Sequence, residues 1–81
     1  MDDLKHTVAG NLRRYRKGAR ISAESLAQQV GVSRQTIHNY ESSNTLADSA
    51  TLGRLASALH VRLEDLIRTP GAVPAFHFQS G

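Results

Sequence analysis

Residues 22–41, SAESLAQQVGVSRQTIHNYE, decide how this chain folds. Ser22 is a good helix N-cap, and Glu24 adds negative charge to the first turn of the helix that follows. Leu26, Ala27 and Val30 recur at helical spacing and form that helix's inner face. Gly31 then suits a left-handed turn, where a β-carbon costs about 1 kcal/mol or more. Val32 carries the turn back to the core, and Ser33 caps a further helix, Arg34 to Glu41. That helix is mostly polar. Ile37 and Tyr40, three positions apart, point inward, which leaves Arg34, Gln35, His38 and Asn39 facing out. An outward helix of this kind can simply be solvated. Its guanidinium and amide groups are also the ones able to pair with a base edge in two places at once.

Working outward, Leu4, Val8, Leu12 and Tyr15 form one apolar stripe and predict a first helix from about Asp3 to Lys17. Asp2 and Asp3 suit its positive end, Arg13 to Lys17 its negative end, and Gly18 is a natural stop. Residues 42–47 read as a polar connection. Asp48 or Ser49 caps a fourth helix running to about His60, with Leu52, Leu55, Ala56 and Leu59 inward. A short fifth helix, Leu63 to Ile67, ends at Thr69-Pro70-Gly71. The expectation is an all-α, compact five-helix bundle. Beyond it, Val73, Pro74, Phe76 and Phe78 alternate with small or polar residues, as in a short extended segment. A lone strand has no partner in a helical domain. This tail is therefore expected to pair with a second subunit, lie over the bundle, or open a further domain.

Composition narrows the function classes. The chain has 81 residues, enough for one small domain, and no cysteine, so neither a disulfide nor a thiolate ligand is available. No apolar run approaches the ~20 residues of a membrane span. The polar start MDDLKH does not read as a secretory signal, and a cytoplasmic location is expected. The histidines, His6, His38, His60 and His77, are scattered and form no metal-binding spacing. No serine sits in a nucleophile elbow and no glycine-rich phosphate loop is present. No catalysis, metal, cofactor or small-molecule ligand is expected. The net charge of +3 is uneven. Lys5, Arg13, Arg14, Arg16, Lys17, Arg20 and Arg34 face only Asp2, Asp3 and Glu24 in residues 1–40, whereas acids outnumber bases in residues 41–81. A basic half suits a polyanion, since phosphate contacts release counterions; an ordinary solvated basic helix is the plainer account.

From Val8 to Ile67 the pattern resembles the XRE or phage-repressor-like (lambda-repressor-like) helix-turn-helix family. The marks are Leu12-Arg13-Arg14-Tyr15-Arg16, Ile21-Ser22, Leu26-Ala27, Val30-Gly31-Val32-Ser33, Thr36-Ile37, Tyr40-Glu41, Leu55-Ala56-Ser57-Ala58-Leu59 and Glu64-Asp65-Leu66-Ile67. Each is weak alone; their order and spacing together are specific. The resemblance implies a structural ion pair between Arg16 and Glu41. It implies base-reading positions at Ser33, Arg34, Gln35 and His38, with Asn39 behind them. Arg34 suits guanine and Gln35 adenine, though either is also able to hold a phosphate. Backbone contacts fall to Thr36, Ser43, Asn44 and Thr45, and to Ala23 through its main chain alone. Many relatives carry a phosphate-clamping glutamine where this chain has Ala23, and the loop ESSNTLADS is unusually uncharged. Both departures imply fewer ionic contacts and a shallower salt dependence.

The function so implied is a sequence-specific, double-stranded DNA-binding transcriptional regulator, a bacterial or phage repressor. It is expected to bind as a homodimer with the helix at residues 34–41 in the major groove. Residues 1–68 would form the DNA-binding domain and 69–81 a dimerisation arm or linker. Leu63, Leu66, Ile67 and the tail are candidate dimer contacts, with Leu63 and Leu66 preferred as monomer core. Two alternatives remain: a protein-interaction or antitoxin-type module, and the N-terminal DNA-binding domain of a longer effector.

Overall fold

Four of the five helices begin where a residue supplies an acceptor or adopts an extended cap. A computed structural model describes residues 3–69. They form α1 (Asp3–Gly18), α2 (Ala23–Val30), α3 (Arg34–Glu41), α4 (Ser49–Leu59) and α5 (Leu63–Ile67). The Ser22 hydroxyl accepts from the Ser25 N–H at 3.0 Å, and Ser33 from the Thr36 N–H at 3.1 Å. Asp48 is the cap of α4: its carboxylate accepts from the Thr51 N–H at 2.8 Å. The first four N–H groups of a helix lack internal partners, and these side chains satisfy one donor each. α5 has Arg62 at its cap in extended conformation, with the Asp65 carboxylate accepting from the Arg62 N–H at 2.9 Å.

The helix ends share one device. After α1, α2, α3 and α4 the chain enters the left-handed region, at Arg20 (φ 60), Gly31 (φ 87), Ser43 (φ 66) and His60 (φ 59). The next N–H then reaches back five residues: Ile21 to Arg16, Val32 to Ala27, Asn44 to Asn39 and Val61 to Ala56, at 2.9 to 3.1 Å. Ile21, Val32 and Val61 pack against the core directly after their turns. This is the hydrophobic contact that accompanies such helix ends. Gly31 behaves as expected. Gly18 does not: α1 runs through it and the reversal falls at Arg20. The position that matters is the one that delivers Ile21 to the core, and it lies two residues past the glycine.

The inner faces of α2 (Leu26, Ala27, Val30) and α3 (Ile37, Tyr40) meet Val8 and Leu12 of α1 and Leu52, Leu55, Ala56 and Leu59 of α4 in one cluster. Ala47, within the connection expected to be polar, is also buried there. α5 closes the bundle with Leu66 alone, which is fully buried, whereas Leu63 is 37% and Ile67 42% exposed. Leu63 is thus not core. Five residues make little more than one turn, and of its three apolar side chains only Leu66 is buried. Leu4 lies at the exposed end of the α1 stripe. Asn11 is fully buried: its amide donates to the carbonyls of Leu66 and Arg68, both at 2.8 Å, and its oxygen accepts from Arg14 at 2.7 Å. It caps the end of α5 from across the bundle. The expectations for Asp2, for the side chain of Asp3, and for Pro70 to Gly81, including Phe76 and Phe78, lie outside the described residues.

Candidate nucleic-acid interface

With Ile37 fully buried and Tyr40 9% exposed, the register of α3 is fixed, and Arg34, Gln35 and His38 project into solvent. Asn39 sits at the edge, half-buried. Arg34, Gln35 and His38 line one wall of an open groove of about 370 Å³; Ala23, at the start of α2, and the Arg16–Glu41 pair complete it. Four residues that the sequence assigned to base or backbone contact are therefore brought together. Ser33, Thr36, Asn39, Ser43, Asn44 and Thr45 do not line the groove.

The outer face is lightly preorganised. The Gln35 amide donates to Asn39 Oδ1 at 3.2 Å, one helical turn on, and His38 Nε2 lies 3.4 Å from the Ser42 hydroxyl. Both are exposed contacts that an incoming hydrogen-bonding partner can replace at little cost. The Arg34 side chain has no hydrogen bond or ion pair within the described residues, so its planar fork is available. Ser33 and Thr36 are committed to the helix start: their hydroxyls lie 2.9 Å apart and Ser33 also accepts from the Thr36 N–H. Ala23, a groove-lining residue, is the first of α2, where N–H groups lack internal helix partners and the helix dipole favours an anion.

Arg16 and Glu41 form another part of the groove wall. Arg16 Nε and Nη2 meet the Glu41 carboxylate at 2.6 and 3.0 Å, and Nη1 donates to the Ile21 carbonyl at 2.9 Å. Their side chains are only 15% and 11% exposed. The hydrogen bond that Arg16 donates to Glu41, reinforced by the carboxylate's charge, raises the Arg16 pKa above the ordinary arginine value against the opposing effect of burial. The pair joins α1, the loop before α2 and the end of α3, and it removes one formal cation from the groove. That it also forms a groove wall was not legible from sequence, since it depends on how α1 and α3 cross. Ser43 is half-buried in its left-handed turn, while Asn44 and Thr45 are exposed after the end of α3. A second open groove, about 480 Å³, runs between α2 and α4 along Gln29, Arg54, Ser57, Ala58 and His60 and shares no residue with the first. Among the described residues no three metal-ligating side chains gather, and no helix is long and apolar enough to cross a membrane.

Comparison with known proteins bears on this arrangement. No curated protein matches the sequence significantly. Among solved structures, the chain is similar to a hypothetical transcription factor, NHTF, from Neisseria, at 26% identity and a TM-score of 0.82, covering 89% of this chain and 84% of that one. It is also similar to an HTH_3 family transcriptional regulator from Vibrio cholerae, at 28% identity and a TM-score of 0.76, over 82% of this chain but 38% of that longer one. The clp gene regulator ClgR from Corynebacterium glutamicum shares the fold at 22% identity, with a TM-score of 0.76 over 78% of this chain and 67% of its own. The helix-turn-helix family model HTH_3 matches residues 12–66, from the apolar stripe of α1 through the buried leucine of α5, and the chain belongs to that family.

Proposed function

We propose that this DNA-binding transcriptional regulator reads its sites by placing α3 in the major groove, with Arg34, Gln35 and His38 against base edges. Ser33 and Asn39 border the same surface. The Ala23 main chain, Thr36, Ser43, Asn44 and Thr45 hold the backbone on either side. The observation that carries the reading is the groove itself. A guanidinium free of internal partners, an amide and an imidazole stand exposed on a helix whose other face is locked into the core. The relatives described as transcription factors and regulators support the same class of function. It requires no catalysis by this domain.

One eight-residue helix offers few base contacts. We therefore take the functional unit to be a homodimer on a near-palindromic site, with half-sites about one helical turn apart, acting as a repressor in a bacterial cytoplasm. The exposed Leu63 and Ile67 of α5 supply apolar surface for that contact. Selection of bound sequences from a random DNA library at physiological salt tests the reading. The expected result is one enriched motif with two-fold symmetry. Arg34→Ala should cost about 1–3 kcal/mol and relax the preference at one base. A uniform loss on all sequences would reassign Arg34 to a phosphate. Failure to enrich any motif would overturn base reading and favour the protein-interaction alternative.

A further inference from the structure

Of the six residues lining the DNA-reading groove, two are basic, and one of these, Arg16, is neutralised by Glu41. Arg34 alone among them carries uncompensated charge, against a duplex bearing a phosphate every ~1.7 Å of its axis. Two further cations adjoin groove-lining residues along the chain. Lys17 follows Arg16 on α1, and Arg20 occupies the reversal that leads into α2, three positions before Ala23. Both are exposed, and neither has a hydrogen bond or ion pair made by its side chain within the described residues. The next acid along the chain, Glu24, is exposed and pairs with neither.

The segment that presents them is firmly held. Arg16 Nη1 donates to the Ile21 carbonyl at 2.9 Å, the Ile21 N–H returns to the Arg16 carbonyl at 3.1 Å, and the Ile21 side chain packs against the core. The guanidinium that grips Glu41 at the end of α3 thus also fixes the loop carrying Arg20. Arg20 stands in a left-handed conformation that disfavours a β-carbon. A long cation is kept where the backbone alone prefers glycine, three residues before the groove-lining Ala23.

We propose that Lys17 and Arg20 form a cationic rim that grips the phosphodiester backbone beside the groove while α3 reads the bases. This rests on the DNA reading given above. The rim supplies sequence-independent affinity and orientation; the outer face of α3 supplies discrimination. Arg16 acts through it as a positioning residue.

The test is the salt dependence of binding to the selected site and to a scrambled duplex of equal length, followed by fluorescence anisotropy of labelled DNA. Each lost phosphate contact lowers the slope of log K against log salt by ~0.9, or roughly fivefold in affinity at about 0.15 M salt. Lys17→Gln and Arg20→Gln should each show this, equally on both duplexes, and the double variant should lose roughly thirtyfold. Arg20→Gly guards against misfolding, because it relieves the left-handed strain: it should lose the same affinity while melting no lower than wild type. Arg54→Gln, on the second groove, should leave the slope unchanged. Specific binding by wild type with slopes unaffected by Lys17→Gln and Arg20→Gln overturns the rim alone. So does an equal fall for Arg54→Gln, which would mark a general field effect. Absence of wild-type binding to any duplex overturns the rim and the DNA reading together.

Discussion

Removing the Glu41 carboxylate should destabilise the domain severely. Glu41→Ala deletes two charge-assisted hydrogen bonds, at 2.6 and 3.0 Å, and leaves Arg16 with the Ile21 carbonyl as its remaining partner. An exposed pair would lose under ~1 kcal/mol and a fully buried one ~3–5 kcal/mol. At 15% and 11% exposure the pair lies near the buried limit, but water still reaches the stranded guanidinium, so about 2–4 kcal/mol is expected. A domain this small has roughly 4–12 kcal/mol in all, so a large share of its stability is at stake. At about 4–8 °C per kcal/mol, Tm should fall by roughly 8–32 °C. Urea unfolding followed by circular dichroism gives the free energy directly. Because the pair is shielded, most of the cost should persist in 1 M salt, where the Debye length is only about 3 Å. The double variant Arg16→Met/Glu41→Leu removes both charges and should be more stable than either single variant, since no charge is left unpaired. A cost for Glu41→Ala below ~0.5 kcal/mol, or one abolished by salt, would show that the pair behaves as a surface contact and would refute the argument.

Three other perturbations probe the frame that holds the groove. His60→Gly should stabilise the domain by about 0.5–1 kcal/mol, because the left-handed turn after α4 currently holds a β-carbon; an unchanged urea midpoint would contradict this. Asn11→Ala should cost ~2–3 kcal/mol by leaving the buried carbonyl of Leu66 and the partly buried one of Arg68 without their donor, with the fastest amide exchange appearing in α5. Asp48 provides a pH signature. The Thr51 N–H first, and the Thr51 hydroxyl second, hold its carboxyl below the usual carboxylate range. A depressed folded-state pKa means the contribution is fully present above the unfolded value of about 3.9 and is lost as pH falls through the folded one. The Tm advantage of wild type over Asp48→Asn, which caps without titrating, should therefore shrink below about pH 4; a constant difference would show that Asp48 gains nothing from its charge.

What the sequence revealed and what it hid follow the range of the interactions concerned. Ser22 and Ser33 cap helices through N–H groups three residues away, so a local pattern identifies them. The outward face of α3 follows from Ile37 and Tyr40 by helical geometry alone. Asn11 was invisible because its acceptors lie 55 and 57 residues downstream and are carbonyls, which carry no sequence signal. Leu63 was misplaced because apolarity reports a preference for burial, whereas the space left beside α1 and α4 admits Leu66. Arg20 was passed over for Gly18 because propensity favours glycine at a helix end, while the structure places the turn where Ile21 can reach the core.

On the proposed reading, the same two arginines make this surface separate affinity from selectivity. Arg16 and Arg34 line one groove, but Arg16 is spent on Glu41 and the Ile21 carbonyl, and Arg34 is left without a partner. A groove filled with free cations would bind any duplex tightly, because counterion release does not depend on sequence. A groove with one free guanidinium beside an amide and an imidazole gains most of its binding from groups whose donors and acceptors must match a base edge. On the rim proposal, Lys17 and Arg20, outside the groove, add the ionic part of the sequence-independent share. Adding a cation inside the groove is the converse experiment. Ala23→Lys should tighten binding to scrambled and selected duplexes alike and compress the ratio between them. If that ratio instead widens, discrimination does not rest on the groove's low charge.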